Sequence, residues 1–405
     1  MLILIYFETL LLFFKIHILN MKIISVVGAR PNFMKVAPFI DAIEQYNLSN
    51  TQEQIEHMLV HTGQHYDDRM SDLFFKELGI PRPDLNLNVG SGTHAEQVGY
   101  TMIKLEKVLM DECPDWVVVL GDVNATIACS LAAKKLSIKV CHIEAGLRSR
   151  DMNMPEEINR IVTDRLSDLL LTPDRIAIEN LKEEGVADSS IAFVGNIMID
   201  TLFRNKPEAD KREVNEIIRR NILNGQPKVV KDFNGKDYIV VTLHRPSNVD
   251  YKEVILPIID FFSDEVVKRQ SILWPIHPRT KAKLKEYGLL DRVLAHPDIF
   301  LLEPLGYLDM LRINTTASLI LTDSGGLQEE STVLQVPCLT MRWNTERPVT
   351  LKEHGGASSL VGNDVNKIRE QYLQDIETAS VQEIPELLDG QTADRCLKSI
   401  LNAEK

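Results

Sequence analysis

Four things are scarce in this sequence of 405 residues: cysteine, net positive charge, long uncharged apolar runs, and a dinucleotide fingerprint behind the first strand. Each scarcity excludes something. The five cysteines (Cys113, Cys129, Cys141, Cys338 and Cys396) are odd in number and fit no metal-ligand spacing. Three of them fall in segments that read as buried, so a reducing compartment without structural disulfides is expected, and no metal site. The formal net charge of −13 argues against a protein that tracks the phosphate backbone of nucleic acid. It leaves room for a local basic pocket that holds a diphosphate. The first strand opens into Gly28-Ala29-Arg30-Pro31, which is not G-x-G-x-x-G, so no nicotinamide cofactor is expected.

The greasiest stretch is residues 1–20, and Glu8, Lys15 and His17 interrupt it. A spanning helix needs about 20 largely uncharged residues. A secretory signal needs a basic start and a small-residue cleavage site, and neither flanks this segment. It reads as an upstream extension in preference to a membrane-surface anchor, with Met21 as the opening of the first domain. A cytoplasmic protein is expected.

A 44% apolar and 25% charged composition is ordinary for a globular chain. At roughly 100–200 residues per domain, this length holds two or three domains. Short runs that are apolar on both faces alternate with helical stretches, which predicts parallel sheets covered on two sides. The first series is Ile23–Val27, His57–His61, Trp116–Leu120, Ile138–Ile143, Asp168–Leu171 and Ile191–Val194, with helices over Phe33–Tyr46 and Ala125–Leu136. A second series runs through Tyr238–Leu243, Ile272–Pro275, Ile299–Leu302, Leu319–Thr322 and Cys338–Met341. The charged stretch Asn205–Asp237 suits surface helices and connections after a boundary near Gly195. The expectation is two Rossmann-like α/β domains, 21–195 and 196–384, with parallel sheets facing a central cleft. Residues 385–405 should end in a helix that packs back on the first domain.

In open parallel sheets ligands bind beyond the carboxyl ends of the strands, so residues there carry the functional reading. Gly28–Arg30 is either an anion-binding turn or an ordinary tight turn. Asp122 follows WVVVL and is either a ligand contact or a helix cap. Glu144 ends IKVCHI and would be costly to desolvate without a partner. Glu156 follows a first-turn proline, where an acid also complements the helix dipole; with Asp122 and Glu144 it makes a third carboxylate for acid–base work. In the second half, His244 and His277 each follow a strand. The strongest element is Thr322-Asp323-Ser324-Gly325-Gly326, where a serine and two glycines at a helix start offer backbone N–H groups to phosphate oxygens. Glu330 sits one turn further and can accept from both ribose hydroxyls. Arg342 and Arg347 could add positive charge.

The motifs GARPNFMK (28–35), HTGQHYD (61–67), GDVNAT (121–126), HIEAGLRS (142–149), MPEEINR (154–160), LHRPSNVD (243–250), PIHPRT (275–280), LTDSGGLQEES (321–331), TERP (345–348) and DGQTADR (389–395) occur together. In these residues the chain from Met21 onward resembles the non-hydrolysing UDP-N-acetylglucosamine 2-epimerase family. The resemblance implies a GT-B fold, catalytic positions at Asp122, Glu144, Glu156 and His244, and UDP held by Arg30, Ser324, Gly325, Gly326 and Glu330, with Lys35 and Arg342 nearby and His277 in the substrate site. It implies reversible conversion of UDP-N-acetylglucosamine to UDP-N-acetylmannosamine through UDP elimination and a 2-acetamidoglucal, without a cofactor, in support of cell-surface polysaccharide synthesis. A homodimer is expected. Departures are Asn32 and Ser247, where glutamate is frequent, and Gln64-His65-Tyr66-Asp67, which lacks the pattern tied to activation by substrate. A hydrolysing relative, an epimerase of diacetamido-uronic acid nucleotides and a silent nucleotide-sugar sensor are the competing readings.

Overall fold

The apolar runs form strands because a β-branched stretch buried on both faces is stable only inside a sheet covered by helices. The computed structural model describes residues 21–63, 79–226, 232–233, 237–377 and 384–404. Residues 1–20 and Gln64-His65-Tyr66-Asp67 lie outside them, so the readings made on those segments stay with the sequence. The chain divides into two compact units. One runs to Ile197 and takes in Gln391–Lys405; the other is Met198–Gly390.

The first unit holds β1 (Met21–Val27), β2 (Ile55–His61), β3 (Leu85–Asn86), β4 (Trp116–Leu120), β5 (Lys139–Ile143), β6 (Leu169–Thr172) and β7 (Ile191–Phe193). They lie in the order β3-β2-β1-β4-β5-β6-β7, every pair parallel. Its main helices are α1 (Arg30–Ser49), α2 (His94–Glu112), α3 (Asn124–Lys135), α4 (Pro155–Leu166) and α5 (Arg175–Glu183). Strand β4 is buried along its whole length. Helix α3 lies close above the sheet because Ala128, Cys129, Ala132 and Ala133 on its inner face are small. The last helix, Thr392–Ala403, belongs to this unit. It buries Cys396, Leu397 and Ile400, Arg395 donates to the Val194 carbonyl at 2.6 Å, and Trp116 Nε1 reaches Glu404 just beyond it at 2.6 Å.

The second unit holds β8 (Tyr238–Thr242), β9 (Ser271–Pro275), β10 (Ile299–Leu302), β11 (Leu319–Thr322), β12 (Cys338–Thr340) and β13 (Ser358–Leu360), ordered β10-β9-β8-β11-β12-β13 and again parallel. Trp274, Phe262 and Tyr372 anchor its core. Both sheets reverse direction of winding at one place, between β1 and β4 in the first and between β8 and β11 in the second. Helices leave to opposite faces there, opening a crevice at the strand ends. Both units are Rossmann-like and the fold is of GT-B type.

Strand ends shift from the sequence reading by a residue or two, as hydrogen-bonded ends commonly do. The two- and three-residue strands β3 and β13 were not anticipated, being too short for any periodicity to register. Helix α2 was also missed. The charged stretch after the boundary carries helices Ile197–Ala209 and Val214–Asn221. Four cysteines are buried where three were expected, because Cys396 faces inward from the last helix.

Candidate functional site

At the first switch point the loops after β1 and β4 are tied by one side chain. Asn32 Oδ1 accepts from the amides of Gly28 (3.2 Å) and Ala29 (3.0 Å), and its Nδ2 donates to the Leu120 carbonyl at 2.9 Å. Arg30 is the first residue of α1. Gly121 has φ +66, and a Cβ on it would sit 3.0 Å from Lys35 Nζ and 3.3 Å from Glu144 Oε2. Lys35 and Glu144 are both buried and form an ion pair. Glu144 itself has φ +74. A non-glycine residue held there costs of order 1–3 kcal/mol and persists only where its surroundings over-determine it. Here the amides of Glu144 and Ala145 both donate to the Leu171 carbonyl, each at 3.0 Å.

Helix α4 is amphipathic in the reverse sense. It buries Glu157, Asn159, Arg160, Thr163 and Asp164 while Ile158 is 44% exposed. A charged face turned inward is tolerable only when each charge has partners. Arg160 Nε (3.0 Å) and Nη2 (2.6 Å) both reach Asp122 Oδ2, and Nη1 reaches Glu157 Oε2 at 2.7 Å. Glu157 also accepts from the amides of Ser149 and Arg150 and from the Ser149 hydroxyl. Burial works against its charge, yet those amides and Arg160 bring its carboxyl below the usual range. Asp164 behaves alike: burial opposes its charge, but His142 at 2.6 Å and Arg148 at 2.7 Å hold it low. His142 Nε2 meets the Gly121 carbonyl at 2.9 Å, so the ring bridges the turn after β4 to Asp164. Glu156 is half-buried and has no ion pair among the described residues. With Asp122 it lines a pocket formed by Gly92–His94, Gln97, Val123, Asn124, Pro155 and Asn159.

At the second switch point Asp323 is fully buried and collects the loop after β8. It accepts from the amides of His244 (2.9 Å) and Arg245 (2.8 Å), from Asn248 Nδ2 (3.1 Å) and from His244 Nδ1 (2.8 Å). Burial opposes the charge of Asp323; His244 and those amides pull its carboxyl below the ordinary value. The rings of His244 and His277 are 5.5 Å apart, and His277 Nδ1 caps its own helix by accepting from the Arg279 amide.

Ser324 is the N-cap of helix α6 (Gly325–Leu334), and its side chain makes no cap bond. A Cβ on Gly325 would lie 3.1 Å from Arg347 and 3.3 Å from Arg342, so two guanidinium groups flank this helix start. Arg342 pairs with Glu346 at 2.7 Å, and Arg347 with Glu329 at 2.6 Å. A helix N-terminus beside two cations suits a diphosphate. Glu330 is buried against the Tyr307 hydroxyl; burial pushes its carboxyl up to about 7, Tyr307 works against that, and Glu329 adds to it.

The predicted residues thus fall into three groups: Asp122, Glu144, Glu156 and Lys35 at the first sheet's strand ends, His244 with His277, and Ser324–Gly326 with Glu330 and Arg342. The Arg30 side chain lies outside the described residues. Sequence reading gave no individual role to Glu157, Arg160, Asp164 or Tyr307, and named His142 and Asp323 only as members of their motifs. For Glu157, Arg160 and Asp164 a signal was available, since these positions share one helix face. Among the described residues no acid–histidine–cysteine group could hold a metal, and no helix is long and apolar enough to cross a membrane.

The family model described as UDP-N-acetylglucosamine 2-epimerase matches residues 48–401. The UDP-N-acetylglucosamine 2-epimerase of Methanocaldococcus jannaschii is 45% identical over 349 residues, covering 86% of this chain and 90% of that protein. A crystal structure of the Methanocaldococcus jannaschii enzyme in complex with UDP-GlcNAc and UDP is similar at TM-score 0.80 and 41% identity, covering 95% of this chain and 100% of that one. The UDP-2,3-diacetamido-2,3-dideoxy-D-glucuronate 2-epimerase of Pseudomonas aeruginosa is 38% identical, over 84% of this chain and 88% of that protein. The relatives that this chain matches are nucleotide-sugar enzymes. The chain belongs to the UDP-N-acetylglucosamine 2-epimerase family.

Proposed function

We propose that the chain interconverts UDP-N-acetylglucosamine and UDP-N-acetylmannosamine by eliminating and re-adding UDP, without net hydrolysis. The observation that carries this is Glu144: a buried carboxylate in a strained backbone conformation, paired with Lys35, at the strand end next to that of Asp122. Strain and a buried ion pair are retained where chemistry needs them.

The C2 hydrogen of the sugar is too weakly acidic for direct removal. Breaking the C1–O bond first gives C1 cationic character, UDP leaves with the bonding pair, and the C2 proton passes to a carboxylate to leave 2-acetamidoglucal. Re-addition of UDP to C1 with protonation of C2 from the other face gives the epimer. Asp122, Glu144 and Glu156 are assigned to the cation and the proton. The Ser324–Gly326 amides, Arg342 and His244 are assigned to the leaving diphosphate, with Asp323 orienting His244. Lys35 keeps Glu144 in place.

The test is to incubate the protein with UDP-N-acetylglucosamine in deuterated water and follow products by NMR. The expected result is UDP-N-acetylmannosamine with deuterium at C2 in both epimers. Free N-acetylmannosamine with stoichiometric UDP would instead mark a hydrolysing enzyme. Unchanged substrate would mark a binding protein.

A further inference from the structure

Helix α6 has no acid of its own in its first turn, yet a carboxylate lies at its start. It belongs to Glu346, on the loop after β12. A Cβ on Gly325 would lie 3.4 Å from Glu346 Oε1, next to the 3.1 Å and 3.3 Å that separate it from Arg347 and Arg342. Arg342 Nη2 donates to Glu346 Oε2 at 2.7 Å and Nη1 approaches Oε1 at 3.4 Å, while Arg347 Nη1 also donates to Oε1. The Arg342, Glu346 and Arg347 side chains are only 3%, 6% and 12% exposed. Two guanidinium groups so far from water need a counter-charge, and a helix start favours an anion. The Glu346 carboxylate thus has the surroundings that suit a phosphate group.

The loop that carries Glu346 is pinned to α6. Gln328, fully buried on that helix, donates from Nε2 to Thr350 Oγ1 at 2.5 Å and accepts from Thr345 Oγ1 at 3.1 Å. Thr350 Oγ1 in turn donates to the Arg347 carbonyl at 2.7 Å, and the Arg347 amide donates to Thr345 Oγ1 at 3.1 Å. Gly356 closes against the Thr350 backbone with no room for a Cβ. Arg347 Nε is held by Glu329 at 2.6 Å, so its aim does not depend on Glu346. Freeing the two guanidinium groups therefore asks for rotation about the Glu346 side-chain bonds and no shift of the loop.

We propose that Glu346 is an internal counter-anion at the diphosphate site: it holds Arg342 and Arg347 until a diphosphate takes the same donors, and its competition sets how firmly UDP is held. This rests on the assignment of the leaving diphosphate to the start of α6, and adds to it the group that the ligand displaces. An enzyme that eliminates UDP and adds it back must hold the free diphosphate through the intermediate and still release the UDP-sugar. A carboxylate poised to return to the arginines tempers that hold.

Calorimetry on the intact chain tests it, with UDP, inorganic pyrophosphate and uridine as probes. Glu346→Gln keeps the shape and removes the charge. It should bind UDP about ten- to a hundredfold more tightly than wild type, the scale of the charge-assisted hydrogen bonds that no longer have to be displaced. Pyrophosphate should gain by the same factor, and uridine should stay within about twofold. The variant should melt at a lower temperature than wild type, because two buried cations lose a counter-charge, and saturating UDP should raise its melting point by more than it raises that of wild type. Glu346→Ala should shift UDP affinity in the same direction. A residue that only braces the arginines would give the opposite sign. UDP affinity unchanged or weakened in both variants would therefore overturn the proposal and leave the diphosphate assignment in place. Uridine tightened as much as UDP would overturn it too. A wild type that binds neither UDP nor pyrophosphate would overturn the diphosphate assignment itself, and the proposal with it.

Discussion

Glu330 is the acid whose titration should be visible in ligand binding. Its carboxyl is pushed up to about 7 by burial, and the proposed role, accepting from ribose hydroxyls, calls for the carboxylate. If only the ionised form binds, apparent affinity scales with the ionised fraction, which is about one in ten at pH 6 and nine in ten at pH 8. Affinity should therefore rise about tenfold across that interval. The ligand must be UDP-N-acetylglucosamine, because the terminal phosphate of UDP itself titrates at about pH 6. Calorimetry in buffers of low ionisation enthalpy, on the equilibrated epimer mixture, gives the profile. Glu330→Gln should flatten it. Tyr307→Phe should move its midpoint upward, since the Tyr307 hydroxyl opposes the rise of the Glu330 carboxyl.

The same shift fixes a stability trend. A carboxyl raised in the folded state holds its proton where the unfolded chain has lost it, so its contribution is complete below the ordinary value of 4.5 and is lost as pH rises through 7. For the ligand-free protein this amounts to about 3 kcal/mol, to order of magnitude, between pH 4.5 and 8. Glu330→Gln should remove that component from denaturant melts taken at several pH values. A flat binding profile, or an unchanged slope in Glu330→Gln, would refute the reasoning.

Glu144→Gln keeps the shape and removes the proton-accepting group, so turnover should fall by about 10²–10⁴-fold while UDP affinity by calorimetry stays close to wild type. Gly146→Ala should destabilise the protein by at least about 2 kcal/mol in a denaturant melt, because alanine is strained at φ +82 and its Cβ would enter the Ala177 carbonyl oxygen. Epimerisation should survive exhaustive chelation and need no added nicotinamide; activity lost to chelator and restored by a divalent metal would refute the proposed chemistry.

Much of the fold was legible because its strands are long enough, or apolar enough on both faces, to declare themselves. WVVVL and YIVVTL have no second interpretation once helices flank them. Leu85–Asn86 and Ser358–Leu360 have no such signature, since a two- or three-residue strand is made by its neighbours' hydrogen bonds. The site was legible where glycine, acid or histidine followed a strand directly, as at Gly121-Asp122, Glu144, His244 and Ser324–Gly326. It was opaque where the partner is distant in the chain. Asp323 was read as one letter of a phosphate-binding turn, and its work of holding the His244 amide spans 79 positions. In Pro155-Glu156-Glu157 two adjacent acids compete for attention. Only the burial of Arg160 and Asp164 on the same face identifies Glu157 as the one turned inward.

Among the buried acids Glu157, Asp164, Asp323 and Glu330, the direction of displacement separates those that the fold supplies with partners from the one that it does not. Burial alone raises every carboxyl, because it penalises the charged form. Glu157, Asp164 and Asp323 end below their ordinary values, since the protein supplies each with backbone amides or cations. Those three acids organise their surroundings: the Ser149–Arg150 loop, the turn after β5, and His244. Glu330 ends above, because burial raises it and the neighbouring Glu329 adds to that, while the Tyr307 hydroxyl offsets only part of the rise. Its missing donors are what a ligand with two adjacent hydroxyls would bring. A carboxyl raised by burial beside a phosphate-suited helix start is a candidate ligand contact.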